Sequence, residues 1–139
     1  MRPLAVFDTN VLFSAYGWRG PPYRCVELAR SGIVEIVTCQ ELLTEWAQKQ
    51  RIKLKLPPET IAANLADFLG LARVVGIPGT LHFITADPTD DKVLECEVVA
   101  SATHIVSGDR KHLRHLGDFR GIPILSPAEF MSLMTKSQP

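Results

Sequence analysis

Short apolar runs alternate with longer amphipathic stretches along this chain. The runs are only three or four residues long and lack a polar residue at every second position. This pattern is typical of strands that are buried on both faces of a parallel sheet. We predict strands at Leu4–Phe7, Val34–Val37, His104–Val106 and Ile122–Leu125, and a weaker strand at Leu81–Ile84.

Between these runs, apolar residues recur with the spacing of helices that bury one face. Prolines stand at several of the predicted helix starts, where the first helical positions need no hydrogen-bond donor. Strands that alternate with helices of this kind form βαβ units, so the sequence predicts an α/β fold with a parallel sheet flanked by helices. The predicted helices are Tyr23–Arg30, Glu41–Arg51, Glu59–Val74, Lys92–Ala100 and Ala128–Met134.

The length of 139 residues fits one domain, which we place at residues 1–135, with a short tail at residues 136–139. The basic segment Lys49–Pro58 is predicted to be a loop between two helices. No apolar run reaches the roughly 18 residues of a membrane span, and the first residues lead into a core strand rather than a signal segment. We therefore expect a cytoplasmic protein without a membrane partner.

Acidic residues stand where predicted strands end. Asp8 directly follows Leu4–Phe7, and Asp109 follows His104–Val106 after a serine and a glycine. Ligands of an open α/β sheet bind outside the carboxyl ends of its strands, so both carboxylates are expected to face one crevice. Each aspartate has a second interpretation as a helix cap, because aspartate is favoured at that position.

Two predicted helices carry further candidate acids, Glu45 on one and Asp91 at the start of another. Carboxylates that converge from several elements suit hard cations such as Mg²⁺ or Mn²⁺. Two such ions can stabilise the attacking and the leaving oxygen in phosphodiester cleavage. The neighbouring acids that could replace or supplement these two are Glu41, Asp87 and Asp90.

These segments together resemble a PIN domain. They are the strand that leads into Asp8-Thr9-Asn10-Val11, the helix with Glu45, the run Asp87-Pro88-Thr89-Asp90-Asp91-Lys92, and the ending Ile105-Val106-Ser107-Gly108-Asp109. The chain is similar to VapC-type ribonucleases, the toxin components of toxin–antitoxin pairs. The resemblance implies a three-layer α/β/α fold around a mostly parallel sheet of four or five strands.

The resemblance also implies residue roles. Asn10 matches the polar residue that follows the first acid of the family, and Ser107 stands where relatives carry a threonine or serine whose hydroxyl could orient the site. The implied activity is hydrolysis of RNA with Mg²⁺ or Mn²⁺, and the implied partners are an antitoxin protein and a second copy of the chain. The four acids that match the family's catalytic and metal-binding set are Asp8, Glu45, Asp91 and Asp109.

The formal net charge is zero, with 15 basic and 15 acidic residues, so the chain as a whole is not a basic nucleic-acid binder. Basic residues near the predicted crevice would nevertheless hold RNA phosphates, which gives affinity without sequence choice. Tyr16 and Trp18 are expected either to stack on a base or to pack in the protein. The candidate RNA contacts are Arg19, Arg24, Lys53, Arg110 and Lys111.

Two other functions remain open from the sequence. A phosphatase of the haloacid-dehalogenase type also begins with a strand that ends in aspartate, but it needs a second aspartate where this chain has Asn10. The other alternative is a non-catalytic PIN-like module that binds RNA or a protein. The complete set of four acids favours the nuclease.

Overall fold

A computed structural model describes the backbone of residues 2–80, 88–108 and 113–136, and within these ranges it leaves out the side chains of residues 88, 89, 114 and 115. The strands are β1 (Leu4–Phe7), β2 (Glu35–Thr38), β3 (Ala72–Val74), β4 (His104–Val106), β5 (Asp118–Phe119) and β6 (Ile122–Leu125). The helices are α1 (Thr9–Ala15), α2 (Pro21–Arg30), α3 (Gln40–Lys53), α4 (Pro58–Leu69), α5 (Pro88–Ala100), α6 (Leu113–Leu116) and α7 (Pro127–Lys136).

The strands within these ranges form one sheet in the order β3-β2-β1-β4-β6-β5. All neighbours are parallel except β5 and β6, which are antiparallel. The chain builds the sheet outward from β1 in two directions, to β2 and β3 on one side and to β4 on the other. The carboxyl ends of β1 and β4 therefore flank the point where the strand order reverses, which is where open α/β sheets bind ligands.

Side chains of β1 alternate between the two faces of the sheet. Ala5 and Phe7 lie in one buried cluster with residues of α1, α2 and α7, whereas Leu4 and Val6 lie in another with residues of α5 and α6. Helices therefore cover both faces, and the predicted three-layer α/β/α architecture is confirmed. No helix in the described ranges is long and apolar enough to cross a membrane.

The strands predicted at Leu4–Phe7, His104–Val106 and Ile122–Leu125 have the predicted bounds, and β2 begins one residue later than predicted. The sheet has six described strands, whereas the sequence predicted four or five. The strands that were not predicted are β3 and β5. The weak strand predicted at Leu81–Ile84 lies outside the described residues.

The predicted helix Glu59–Val74 is too long. Helix α4 ends at Leu69 because Gly70, a poor helix former, caps it. The following residues then pair with β2 as the edge strand β3. The predicted loop Lys49–Pro58 is also shorter in the structure, since α3 continues to Lys53 and α4 starts at Pro58.

Strand β5 forms a two-residue hairpin with β6. Asp118 pairs with Pro123 and Phe119 with Ile122, so Arg120 and the glycine after it form the loop. Both loop residues have positive φ, 54° and 85°, as the turn of a tight hairpin requires. The glycine after Arg120 is the feature of the sequence that could have indicated this hairpin, although arginine rarely adopts positive φ.

Candidate active site

Asp8 lies at the carboxyl end of β1 and is buried, with 4% of its surface exposed. Its backbone N–H donates to the carbonyl of Val106 at 3.0 Å, so the ends of β1 and β4 meet at this residue. Its Oδ1 accepts a hydrogen bond from the backbone N–H of Val11 at 2.9 Å, which makes Asp8 the N-cap of α1. The interpretation of Asp8 as a helix cap is thereby confirmed, and the residue also lies where β1 and β4 end.

Ser107 fixes the other oxygen of this carboxylate. Its hydroxyl donates to Oδ2 of Asp8 at 2.5 Å, and the serine itself is fully buried. The Val11 amide and the Ser107 hydroxyl together hold the Asp8 side chain in one orientation. The structure thus places Ser107 beside Asp8, where the sequence predicted an orienting hydroxyl.

Glu45 on α3 reaches toward the start of α1. Its Oε1 accepts from the hydroxyl of Thr9 at 2.9 Å, and Lys49, one turn later on α3, lies 3.5 Å from the same oxygen. Lys49 also donates to Oδ1 of Asn10 at 2.8 Å. A network of side chains therefore connects α3 with the two residues that follow Asp8.

This network favours Glu45 over Glu41, because Glu45 contacts the residue next to Asp8. The hydroxyl of Thr9 makes this contact, since it donates to Glu45. The sequence analysis missed that Lys49 bridges Asn10 and Glu45. The spacing of Glu45 and Lys49, four residues apart on one helix, is the signal that could have revealed this contact.

Asp91 lies in the first turn of α5, next to Asp90. Both are buried, at 6% and 5% exposure, which is uncommon for aspartate unless it is paired or binds a metal. The two acids are alike in burial, so the structure leaves either of them as the acid that α5 contributes. Helix α5 packs against β1, the strand that ends at Asp8.

Glu95, one turn after Asp91, has a different role. Its carboxylate accepts hydrogen bonds from the backbone N–H groups of Gly79 and Thr80, all at 3.1 Å. A buried carboxylate that bonds backbone in this way holds the segment after β3 against α5. We therefore assign Glu95 to the fold rather than to the candidate site.

The structure brings the predicted residues together in two pairs: Asp8 with Ser107, and Glu45 with Asn10 through Lys49. Within residues 2–80, 88–108 and 113–136, no three Asp, Glu, His or Cys side chains lie close enough together to hold a metal ion. The fourth predicted acid and two of the predicted RNA contacts lie outside the described residues. They are Asp109, Arg110 and Lys111.

The other predicted RNA contacts lie on the surface. Arg19 and Arg24 are exposed near the start of α2, and the Arg19 guanidinium sits 5.1 Å from the ring centre of Tyr23. Lys53 is exposed on the last turn of α3. Their contact with RNA stays a prediction.

The two candidate stacking residues have different environments. Trp18 is 57% exposed and packs only one side against Phe13 at 5.8 Å between ring centres. Tyr16 packs between Trp46 and Phe68, at 5.0 and 6.4 Å, and so belongs to the protein interior. Of the two, Trp18 alone keeps an open face for a base.

Comparisons with known proteins concern the family of this chain and its fold. A family model described as "PIN domain" matches residues 4–111. The structure is similar to the crystal structure of PAE2754 from Pyrobaculum aerophilum, with a TM-score of 0.63 and 13% sequence identity, over 99% of this chain and 100% of that one. At this identity the likeness supports the fold alone. No curated protein matches the sequence.

Proposed function

Because the chain belongs to the PIN domain family, whose members are generally nucleases, we propose that it is a divalent-metal-dependent endoribonuclease. The observation that carries the proposal is Asp8, buried at the strand-order reversal of the sheet and oriented by Ser107. A carboxylate fixed in this position has the geometry to hold a cation at the ligand-binding edge of an α/β sheet.

The donor chemistry of the candidate site fits Mg²⁺ or Mn²⁺. Asp8, Glu45 and Asp91 offer only carboxylate oxygens, which hard cations prefer. Asp8 and Asp91 are also buried, and a bound cation would stabilise an ionised carboxylate away from water. We propose that these three acids, with Asp109, hold the metal.

In the proposed reaction, these acids would hold a divalent cation, which would supply Lewis-acid activation of water and of the phosphodiester. Ser107 and the Val11 amide keep Asp8 in its binding orientation, and Thr9 does the same for Glu45. Glu45 would orient the attacking water or bind metal. Water attacks phosphorus and forms a new P–O bond as the bond from phosphorus to the 3′ oxygen breaks. The 3′ oxygen takes up a proton and leaves as the 3′-hydroxyl of the upstream fragment, and the downstream fragment keeps the phosphate at its 5′ end.

RNA is held by positive charge around this edge. Lys49 is the cation nearest to Glu45 in the described ranges and is half-buried, so it can contact a phosphate brought to the site. Arg19, Arg24 and Lys53 would contact phosphates farther along the strand. Such contacts make binding weaker as salt increases.

The test is cleavage of a mixed, labelled RNA pool with Mg²⁺, Mn²⁺ or EDTA, beside the variant Asp8→Asn. Calorimetric titration of Mn²⁺ into both proteins adds a measurement that does not depend on the RNA chosen. We expect cleavage that needs metal and is lost in the variant, and Mn²⁺ binding that is weakened. Folded protein that neither cleaves RNA nor binds Mn²⁺ would support the non-catalytic binding module instead.

A toxin role, an antitoxin partner, a homodimer and a cytoplasmic location are proposed from the resemblance to VapC-type ribonucleases. If the chain is a toxin, its expression should arrest growth, and expression of Asp8→Asn at the same level should not. Growth arrest by both proteins would contradict a toxicity that depends on nuclease activity. Light scattering on the purified chain tests the dimer.

A further inference from the structure

A cavity of about 290 Å³ lies at the end of helix α5 that is opposite Asp91. The turn that follows α5 bonds to the start of β1, through the N–H of Thr103 and the carbonyl of Leu4 at 2.7 Å. The cavity therefore lies near the amino ends of the strands, opposite the candidate active site. Its lining residues are Glu97, Val98, Ser101, Ala102, Arg120 and Ile122.

Glu97 lines this cavity and is 95% buried, at 5% exposure. Its Oε2 has no hydrogen-bond partner among the described residues. Burial raises the pKa of this carboxyl, and the nearby charge of Arg120 opposes that increase. A buried carboxyl oxygen without a hydrogen-bond partner destabilises a folded protein unless a ligand or water satisfies it.

Arg120 lies at the same cavity, in the loop of the β5–β6 hairpin. Its side chain is exposed, and within the described parts of the chain it forms no direct ion pair with Glu97. The backbone of Arg120 has φ of 54°, a conformation that costs energy for arginine. Glu97 and Arg120 thus line the same cavity.

Three aliphatic residues, Val98, Ala102 and Ile122, line the cavity together with the polar residues. A ligand that fits must carry a positive donor for Glu97, a negative acceptor for Arg120 and an aliphatic part for the walls. We propose that this cavity binds a free α-amino acid with an aliphatic side chain, with its ammonium group on Glu97 and its carboxylate on Arg120.

The test uses L-leucine as the probe, with the amide NMR signals of Val98, Ser101 and Ala102 as the readout. Two analogues lack one charged end each: 4-methylpentanoate has no ammonium group, and 3-methylbutylamine has no carboxylate. We expect L-leucine to shift these signals with a Kd of about 1 mM, an affinity that two charge-assisted contacts can provide for so small a ligand. Each analogue should bind at least about tenfold more weakly, because it loses one such contact.

Two variants test the residues. Glu97→Gln keeps the shape of the side chain, and Arg120→Asn keeps a residue that tolerates positive φ. Each should weaken L-leucine binding at least about tenfold. Arg73→Gln, an exposed arginine on the far edge strand β3, is the matched control and should bind as the parent does.

Thermal unfolding of each variant shows whether it is folded. The proposal is wrong if L-leucine produces no shifts at about 10 mM, a concentration that would detect even weak binding. It is also wrong if either one-ended analogue binds as tightly as L-leucine, or if both site variants bind like Arg73→Gln. None of these readouts depends on RNA cleavage, so the outcome is separate from that of the proposed nuclease.

Discussion

Two aspartates of this protein, Asp67 and Asp8, are held in different ways. Asp67 accepts two hydrogen bonds from the Arg30 guanidinium, at 3.0 and 2.9 Å, and one from the Tyr16 hydroxyl at 2.6 Å. Asp8 accepts from a backbone amide and from the Ser107 hydroxyl. The guanidinium carries a full positive charge, whereas the amide and the hydroxyl are dipoles.

The difference affects what each carboxylate can do. The bonds from Arg30 and then Tyr16 hold the pKa of Asp67 below its usual range, and burial together with Asp67 raises the pKa of Tyr16. Asp67 thereby links α2 and α4 through Arg30, which is a structural role. The amide and the hydroxyl that contact Asp8 fix the direction of its carboxylate, which suits the role of cation ligand proposed for it.

The largest effect is expected from removal of the Asp8 charge. Asp8→Asn should lower RNA cleavage by more than about 100-fold, because a proposed metal ligand is lost. Its melting temperature should hardly change, since asparagine caps a helix as well as aspartate does. Cleavage assays measure the loss of activity, and thermal unfolding measures the melting temperature. Normal RNA cleavage by Asp8→Asn would show that Asp8 is not part of the active site.

Loss of the orienting hydroxyl should have the next largest effect. Ser107→Ala leaves the Asp8 charge in place but removes the hydrogen bond to Oδ2, so Mn²⁺ affinity should fall by about 10- to 100-fold. Ser107→Thr keeps a hydroxyl and serves as the control, with affinity near that of the parent. Calorimetry measures both. Equal binding by the alanine and threonine variants would contradict the orienting role.

A variant of Lys49 tests whether RNA contacts the side chains around Glu45. Lys49→Met should reduce by about 1 the slope of log affinity against log salt concentration, the loss expected for one phosphate contact. Lys136→Met, at the exposed end of α7, is the control and should leave the slope unchanged. Binding is measured with metal-free protein at several salt concentrations. The same slope in both variants would show that Lys49 contacts no phosphate.

The smallest effect concerns stability at the structural aspartate. Asp67→Asn should lower the free energy of unfolding by about 1 kcal/mol at pH 7, since the pair with Arg30 is partly exposed. The folded-state pKa of Asp67 is depressed, so its contribution is present above the unfolded pKa and is lost as pH falls through the folded pKa. The difference in stability should therefore begin to shrink as pH falls below about 4, the unfolded pKa, and should vanish only below the folded pKa of Asp67. RNA cleavage should be unaffected, and denaturant titrations across this pH range measure the stability difference.

Much of the fold follows from local patterns. Local signals are the apolar runs of β1, β4 and β6 and the prolines at the starts of α2, α4 and α7. They predicted these strands and where these helices begin. The strand-end position of Asp8 was equally visible. The edge strand β3 was not, because residues that continue a helical pattern can also pair with a neighbouring strand once a glycine ends the helix.

The sequence alone determined the α/β class, the positions of most core strands along the chain, and Asp8 as the leading candidate for catalysis. The tertiary structure decided which side chains meet: Ser107 with Asp8 across 99 positions, Glu45 with Thr9 across 36, and Tyr16 with the core rather than with solvent. Periodicity and capping act within a few residues and can be read along the chain. Contacts between distant residues depend on the order of strands in the sheet and on how helices pack over it, which no local pattern specifies.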